Sequence, residues 1–301
     1  MSDAKNTTPS NGSPGDVDEI FVEHPFRQFV VMYMRNYAAV AGLFVFVLIV
    51  GAALFAPLIL DLDPFEMVDA PLLRPGEGGH LLGTDNLGRD LFVAIIYGAR
   101  VTMAVGGAAA GITLVIGLTI GAMAGYYRGW VDEVLMRITE FFQVLPPLLL
   151  AMVLVALFSP TLETVAIAIG VVSWTGVARL ARAEFLRLRE QEFVKAARSI
   201  GARDRRIIWL VIMPNALPPL IVNAALTVGI AILFEAALSF LGLSDPNVMS
   251  WGKLIGDNRD YLLDAPWTIT FPGVAIFLTV LSMSLIGDGL TDAFNPKLRE
   301  R

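Results

Sequence analysis

The chain has 301 residues, 55% of them hydrophobic and only 17% charged, a balance that soluble domains rarely reach and that places it in the membrane class. It has no cysteine and two histidines. That excludes disulfide frameworks, thiolate nucleophiles and cysteine metal sites, and leaves histidine chemistry poorly supplied.

Residues 1–24 open on a polar stretch rich in Ser, Asn, Pro, Gly and Asp. Such a stretch has too little apolar surface to offset chain entropy and is expected to be a disordered tail. No basic start precedes a short apolar run, so it is not a signal peptide and is expected to stay on the protein.

Crossing roughly 30 Å of hydrocarbon takes about 20 apolar residues. Six segments qualify: Ala38–Leu60, Val101–Tyr127, Phe141–Leu162 with Pro146 and Pro147 near its start, Thr164–Ala178, Leu217–Leu241 and Ala265–Gly287. Thr164–Ala178 is the shortest, and crosses if its ends extend and Arg179 snorkels to the interface. The connecting segments alternate in charge, with 17 Lys and Arg on one side and five on the other. The positive-inside rule puts both termini in the cytoplasm, together with the loop over residues 190–215.

In the second segment, glycines at 107, 111, 117, 121 and 125 recur at spacings that let another helix approach closely, and packing inside the bundle is the expected use. The first external loop carries seven acidic and three basic residues, including His80, Gly83, Thr84, Asp85, Gly88, Arg89 and Asp90. A carboxylate cluster can bind a divalent ion or a ligand amine. The same residues build turns, with Gly83 and Gly88 permitting the backbone and Asp85 capping it. The structural reading, which includes a docking surface for a partner, is adopted.

The cytoplasmic loop reads F-V-K-A-A-R-S-I-G-A-R-D-R-R-I-I-W-L-V-I-M-P from Phe193 to Pro214. On a helix, Phe193, Ala196, Ala197 and Ile200 share one apolar face, with Lys195 and Arg198 off it. Gly201 suits a left-handed helix end. A second helix is expected from about Asp204 to Met213, broken by Pro214 and the Pro218–Pro219 pair. Topology and contact with anionic lipid account, on one reading, for the nine basic residues between Arg179 and Arg206. On the other, a small-residue face with a sharp turn fits a groove on a soluble partner.

Glu235 is the acid well inside a span, a functional hypothesis by default. It lies about 9 Å by helical rise from Leu241, in the outer half where water is expected to reach it. It can line a translocation path or pair with a polar group of another subunit. Asp288 and Asp292 are expected to cap and to pair with Lys297 or Arg299. Gly252-Lys253 is followed by Leu254 and lacks the upstream glycines of a phosphate-binding loop. The chain is expected to bind neither ATP nor metal and to carry no catalytic residue.

One resemblance is specific. Permeases of the binding-protein-dependent ABC class carry E-A-A, three residues, G, nine residues, I-x-L-P on a cytoplasmic loop. Ala196, Ala197, Gly201, Val211, Met213 and Pro214 match, while Lys195 stands where the Glu would be, a departure common in the peptide and nickel branch. The segment from His80 to Arg100, Ser239–Leu243, Trp251-Gly252, Phe271-Pro272-Gly273, Gly287–Leu290 and Asn295-Pro296-Lys297 resemble the C-type permease of the oligopeptide, dipeptide and nickel group.

The resemblance implies an all-α, polytopic ABC type-1 permease fold with six transmembrane helices. It divides into an N-terminal region over 25–78, an external loop and start of the second helix over 79–100, a transmembrane domain over 101–290 and a cytoplasmic tail over 291–301. It further implies a coupling helix that docks on the ATPase subunit, two ATPase domains beneath the permeases that bind ATP and Mg, a second related permease as partner, an extracytoplasmic substrate-binding protein, and the bacterial inner membrane. Nucleic acid has no place in it. A secondary transporter would usually carry charged relays in several spans, and a membrane enzyme a catalytic cluster at membrane depth; the sequence offers neither.

Overall fold

In lipid, a backbone satisfies its polar groups most simply as a helix, and helix follows helix along this chain. The structure, a computed structural model, describes residues 25–59 and 62–294. The expected tail over 1–24, Leu60, and residues 295–301 with Lys297 and Arg299 lie outside the described residues.

In chain order the helices are α1 (Pro25–Arg35), α2 (Tyr37–Ile59), α3 (Leu91–Tyr127), α4 (Gly129–Val144), α5 (Pro147–Phe158), α6 (Leu162–Arg189), α7 (Glu192–Ser199), α8 (Asp204–Arg206), α9 (Met213–Phe240), α10 (Trp251–Asn258) and α11 (Trp267–Phe294). Among the described residues the only β pairing is two isolated bridges, Met67 with Arg89 and Thr84 with Asp90. Among the described residues, five helical runs are long and apolar enough to cross a membrane, and six if the bent pair α4–α5 counts as one.

That pair corrects the third predicted span. Phe141–Val144 belongs to α4, and the chain turns by 85° before α5. The cause is the Pro146–Pro147 pair. Leu145, ahead of a proline, is held extended at φ −79° and ψ 128°, as sterics demand, and Pro147 then opens α5, where a missing N–H costs nothing. At 12 residues, α5 rises only about 18 Å, short of the hydrocarbon thickness.

Other spans differ from their expected ends, the last running on past Gly287 to Phe294. The second begins at Leu91, where Asp90 accepts a hydrogen bond from Val93 N at 3.1 Å. The fourth runs from a Thr161 cap on to Arg189, far past Arg179. The prolines at 214, 218 and 219 do not break the fifth, because the helical run is continuous from Asp204 to Phe240. A π-helical turn over Ile207–Ile212 precedes Pro214, and Met213 N–H reaches back to Ile208 O. This wider turn makes room where a proline ring would otherwise clash.

The bundle is tightest where α3 meets α6. A Cβ on Gly117 would crowd Val177, one on Gly121 would overlap the Ala178 carbonyl, and one on Gly125 would press on Arg182 and Phe185. Gly107 and Gly111 face open space, so the expected packing role holds for three of the five glycines. Gly121→Leu should therefore cost about 1–3 kcal/mol through overpacking, whereas Gly107→Ala should be nearly neutral. Thermal unfolding of the detergent-solubilised protein measures both.

α11 packs between α2 and α9, and the amphipathic α1 folds back onto its end. The Phe29 and Phe294 ring centroids are 4.9 Å apart, and Asn36 donates to Asp292 Oδ2 at 2.8 Å. Asp292 thus pairs with Asn36. The expected partners Lys297 and Arg299 are outside the described residues.

Candidate functional site

The loop over 190–215 is anchored by one side chain and presents several others. Val194 on α7 is fully buried, packed with Phe185 and Leu188 of α6 and with Ile207, Ile208 and Ile212. Phe193, Lys195, Ala196 and Ile200 remain exposed, and Ile200 keeps 85% of its surface. The expected apolar stripe therefore splits. Ala197 leans inward beside the Val194 cluster, because a short helix with apolar groups on two sides buries the side that meets the bundle. Met213 is also buried in that cluster, so it supports the loop from within, while Pro214 is exposed.

Gly201 ends α7 at φ +79°. Ala202 N donates to Ala197 O at 3.1 Å and Gly201 N to Arg198 O at 3.0 Å. These two bonds make a Schellman cap, for which glycine suits the left-handed position. The turn leaves Ile200 at the crest of the loop. Trp209 and Leu210 stay exposed beside Arg203, Arg205 and Arg206, around a groove of about 560 Å³. The surface is an apolar crest with a cationic surround.

A second set of contacts ties this loop to the inner end of α3. The Tyr126 hydroxyl donates to Asp204 Oδ1 at 2.6 Å. The Arg189 guanidinium donates to the Tyr126 carbonyl. The Arg189 and Arg198 guanidinium carbons lie 5.6 and 5.9 Å from the Tyr126 ring centroid, within cation–π range. Neither Val194 nor Tyr126 is among the residues singled out from the sequence. Val194 and Ala197 do share a face at i and i+3, which is the signal that marks the inward side.

At the other end of the molecule, the external-loop residues are spent on one another. Asp85 is fully buried and accepts from Leu87 N and Arg89 N, both at 2.9 Å, and from Arg89 Nε at 2.5 Å. Thr84 Oγ1 donates to Ala70 O at 2.7 Å. His80 Nδ1 lies 2.7 Å from Asp90 Oδ2. Gly83 and Gly88 sit at φ +81° and +77°, where a Cβ would overlap the carbonyls of Leu73 and Asp69. Asn86 N donates to Asn258 Oδ1 at 3.0 Å, seating the loop on α10.

Glu235 is not where water was expected to reach it. Its surface is 2% exposed, because α10 folds back over the outer end of α9. Ser239 donates to its Oε1 at 2.7 Å, Thr102 and Ser250 lie nearby, and Oε2 has no hydrogen-bond partner. This carboxylate sits at a helix junction rather than on an open face. Glu235→Gln keeps an oxygen for Ser239 and should hold solute uptake within about twofold of wild type. Loss of uptake in that variant would restore a role for the charge.

The profile of the binding-protein-dependent transport system inner membrane component family matches residues 117–300, from mid-α3 through the loop over 190–215 and past α11. The chain belongs to that family. A second profile, the N-terminal TM domain of oligopeptide transport permease C, matches residues 24–75. The permease is 40% identical to the dipeptide transport system permease protein DppC of Alkalihalophilus pseudofirmus, over 97% of this chain and 96% of that protein. It is 38% identical to the glutathione transport system permease protein GsiD of Pectobacterium atrosepticum, over 92% and 93%. Its fold matches a chain of the inward-facing MetNI methionine ABC transporter with a TM-score of 0.58, at 19% identity over 68% of this chain and 98% of that one.

The permease is thus the membrane-spanning subunit of an ABC importer, a multi-pass protein of a bacterial transport system, and not an ATPase. ATP is hydrolysed by partner subunits, and a binding protein delivers the solute. This removes the secondary-transporter and membrane-enzyme readings.

Proposed function

We propose that this permease forms one half of a translocation pathway for di- or oligopeptides, opposite a second, related but different permease. Two ATPase domains sit beneath the permease pair, this chain docking on the ATPase through α7, with ATP and Mg held by the ATPases. An extracytoplasmic binding protein seats above. Both termini lie in the cytoplasm of the bacterial inner-membrane system, as the charge asymmetry of the loops requires.

The observation that carries the docking role is the crest of α7. Ile200 is 85% exposed on a water-facing loop, held up by a glycine cap and surrounded by arginines. Isolated exposed apolar residues are ordinary, but an apolar crest fixed on a buried anchor suits insertion into a partner. Closure of the motor on ATP would pull α7, and the Tyr126–Asp204 hydrogen bond and Val194 cluster would pass that pull to α3 and α6. The spans then rock between inward- and outward-facing states. The peptide assignment rests on the relatives' stated substrates together with the N-terminal match.

Tagging the chain, extracting it gently from native membranes and identifying its companions by mass spectrometry tests the assembly. A different permease with one or two ATPases is the expected result. A homo-oligomer without ATPase, under conditions that keep a known importer intact, would contradict it.

A further inference from the structure

At the middle of the bundle, α3, α6 and α9 enclose a cleft of about 110 Å³ lined by Thr113, Ser173, Gly176, Asn223 and Thr227 among apolar neighbours. Thr113 and Thr227 are satisfied locally, donating to Gly170 O at 3.4 Å and Asn223 O at 2.8 Å. Ser173 Oγ is buried with no hydrogen-bond partner. The Asn223 carboxamide has one long contact, from Thr227 Oγ1 at 3.5 Å. Gly176 opens the wall, since a Cβ there would meet nothing within 4 Å.

On the following turns of α6 toward the cytoplasm lies a second hollow of about 240 Å³, lined in part by Glu140, Gln143, Arg179 and Arg182, with Glu140 already paired to Arg137 at 3.3 Å. Arg182 is spent on Asp132, at 2.5 and 2.7 Å. Arg179 has no carboxylate partner among the described residues; its Nη2 lies 2.9 Å from the Gln143 amide, oriented to accept. A spare hydroxyl and, less than two turns on, a guanidinium without an ion pair lie along α6, and a spare carboxamide faces the same cleft from α9. Lipid tails can satisfy none of them, so that stretch faces water, solute or another protein.

We propose that the solute crosses along this stretch of α6, from the Ser173–Asn223 cleft to the Arg179 hollow, and that the cleft holds a backbone amide of the passing peptide by neutral hydrogen bonds. Ser173 and Asn223 between them supply donors and acceptors and no charge, which matches a peptide unit whatever its side chains. The volume suits one such unit rather than a side-chain-specific pocket. Arg179 at the inner mouth suits a terminal carboxylate. The ligand class rests on the peptide reading above; the route does not.

The absence of cysteine from the chain permits a direct test. S173C, N223C and, as a buried control on the same helix, V172C are assembled with the ATPases, partner permease and binding protein in vesicles. Each is treated with a charged, water-soluble methanethiosulfonate, modification being read from the mass of this chain. Uptake of a mixed di- and tripeptide pool is measured first and confirms that each variant is folded. The expected result is modification of S173C and N223C at least about tenfold faster than V172C, slowed about threefold or more during peptide turnover. S173C and N223C as inert as V172C, in vesicles that do take up peptide, would overturn the route and leave the peptide reading standing. Fast modification indifferent to peptide would overturn the amide-holding role. Wild-type vesicles that hydrolyse ATP with binding protein but take up no peptide would overturn the peptide reading and that role together, with the labelling rates still deciding the route.

Discussion

Gly201→Asp should reduce solute uptake by about tenfold or more while the permease still inserts and folds. The glycine sits at φ +79° with open space around it, so a side chain meets no steric wall within the chain. Its costs are the left-handed backbone, about 1–2 kcal/mol for residues other than glycine and somewhat less for Asp, and a carboxylate placed beside the apolar crest. Both fall on the proposed docking surface and neither on the bundle. The measurement pairs uptake in vesicles with ATPase activity and with retention of the ATPase on the tagged permease. Uptake at the wild-type rate would show that the crest bears no coupling.

Asp85→Ala should cost about 3–5 kcal/mol, the penalty for stranding a buried charge. Asp85 and Arg89 are almost wholly buried, and the carboxylate also takes the Leu87 and Arg89 backbone N–H groups. Alanine leaves a guanidinium and two amides without an acceptor on the external side. Arg89 would retain its long 3.5 Å contact with Asp257 Oδ2 and its place 6.0 Å from the Phe65 ring centroid. An unfolding temperature lowered by at least about 6 °C, with faster proteolysis of the 62–90 segment from the outside, is the expected result. Asp85→Asn, which keeps one oxygen, should lose markedly less. Unchanged stability in the alanine variant would mean that the loop is not held by this carboxylate.

Much of the fold is legible because hydropathy reports which segments leave water. It cannot report where helices end. Arg179 ends an apolar run yet lies mid-helix in α6, because a helix bonds through its backbone and is indifferent to whether lipid or water faces the next turn. Conversely, the run from Phe141 to Leu162 is uncharged and largely apolar yet breaks, since Pro146 and Pro147 remove donors that hydropathy does not count. The amphipathic α1 was missed for want of length, although Phe29 and Tyr33 mark its buried face at a spacing of four.

The loop over 190–215 is readable in its turn and its exposed residues. Its anchor is not, because Val194 looks no different from Phe193 until the bundle chooses a side. Glu235 shows the limit most clearly. Its depth along α9 follows from sequence, but its burial depends on α10 returning over it from residues further along the chain.

A photo-crosslinking residue placed at position 200 in the assembled transporter, with position 194 as the buried control, tests the central claim most directly. Irradiation of wild-type-like complexes should join position 200 to the ATPase subunit, more strongly with ATP bound, while position 194 links only within this chain. A transporter that retains its ATPase and turns over, yet gives no crosslink from position 200, would contradict the account.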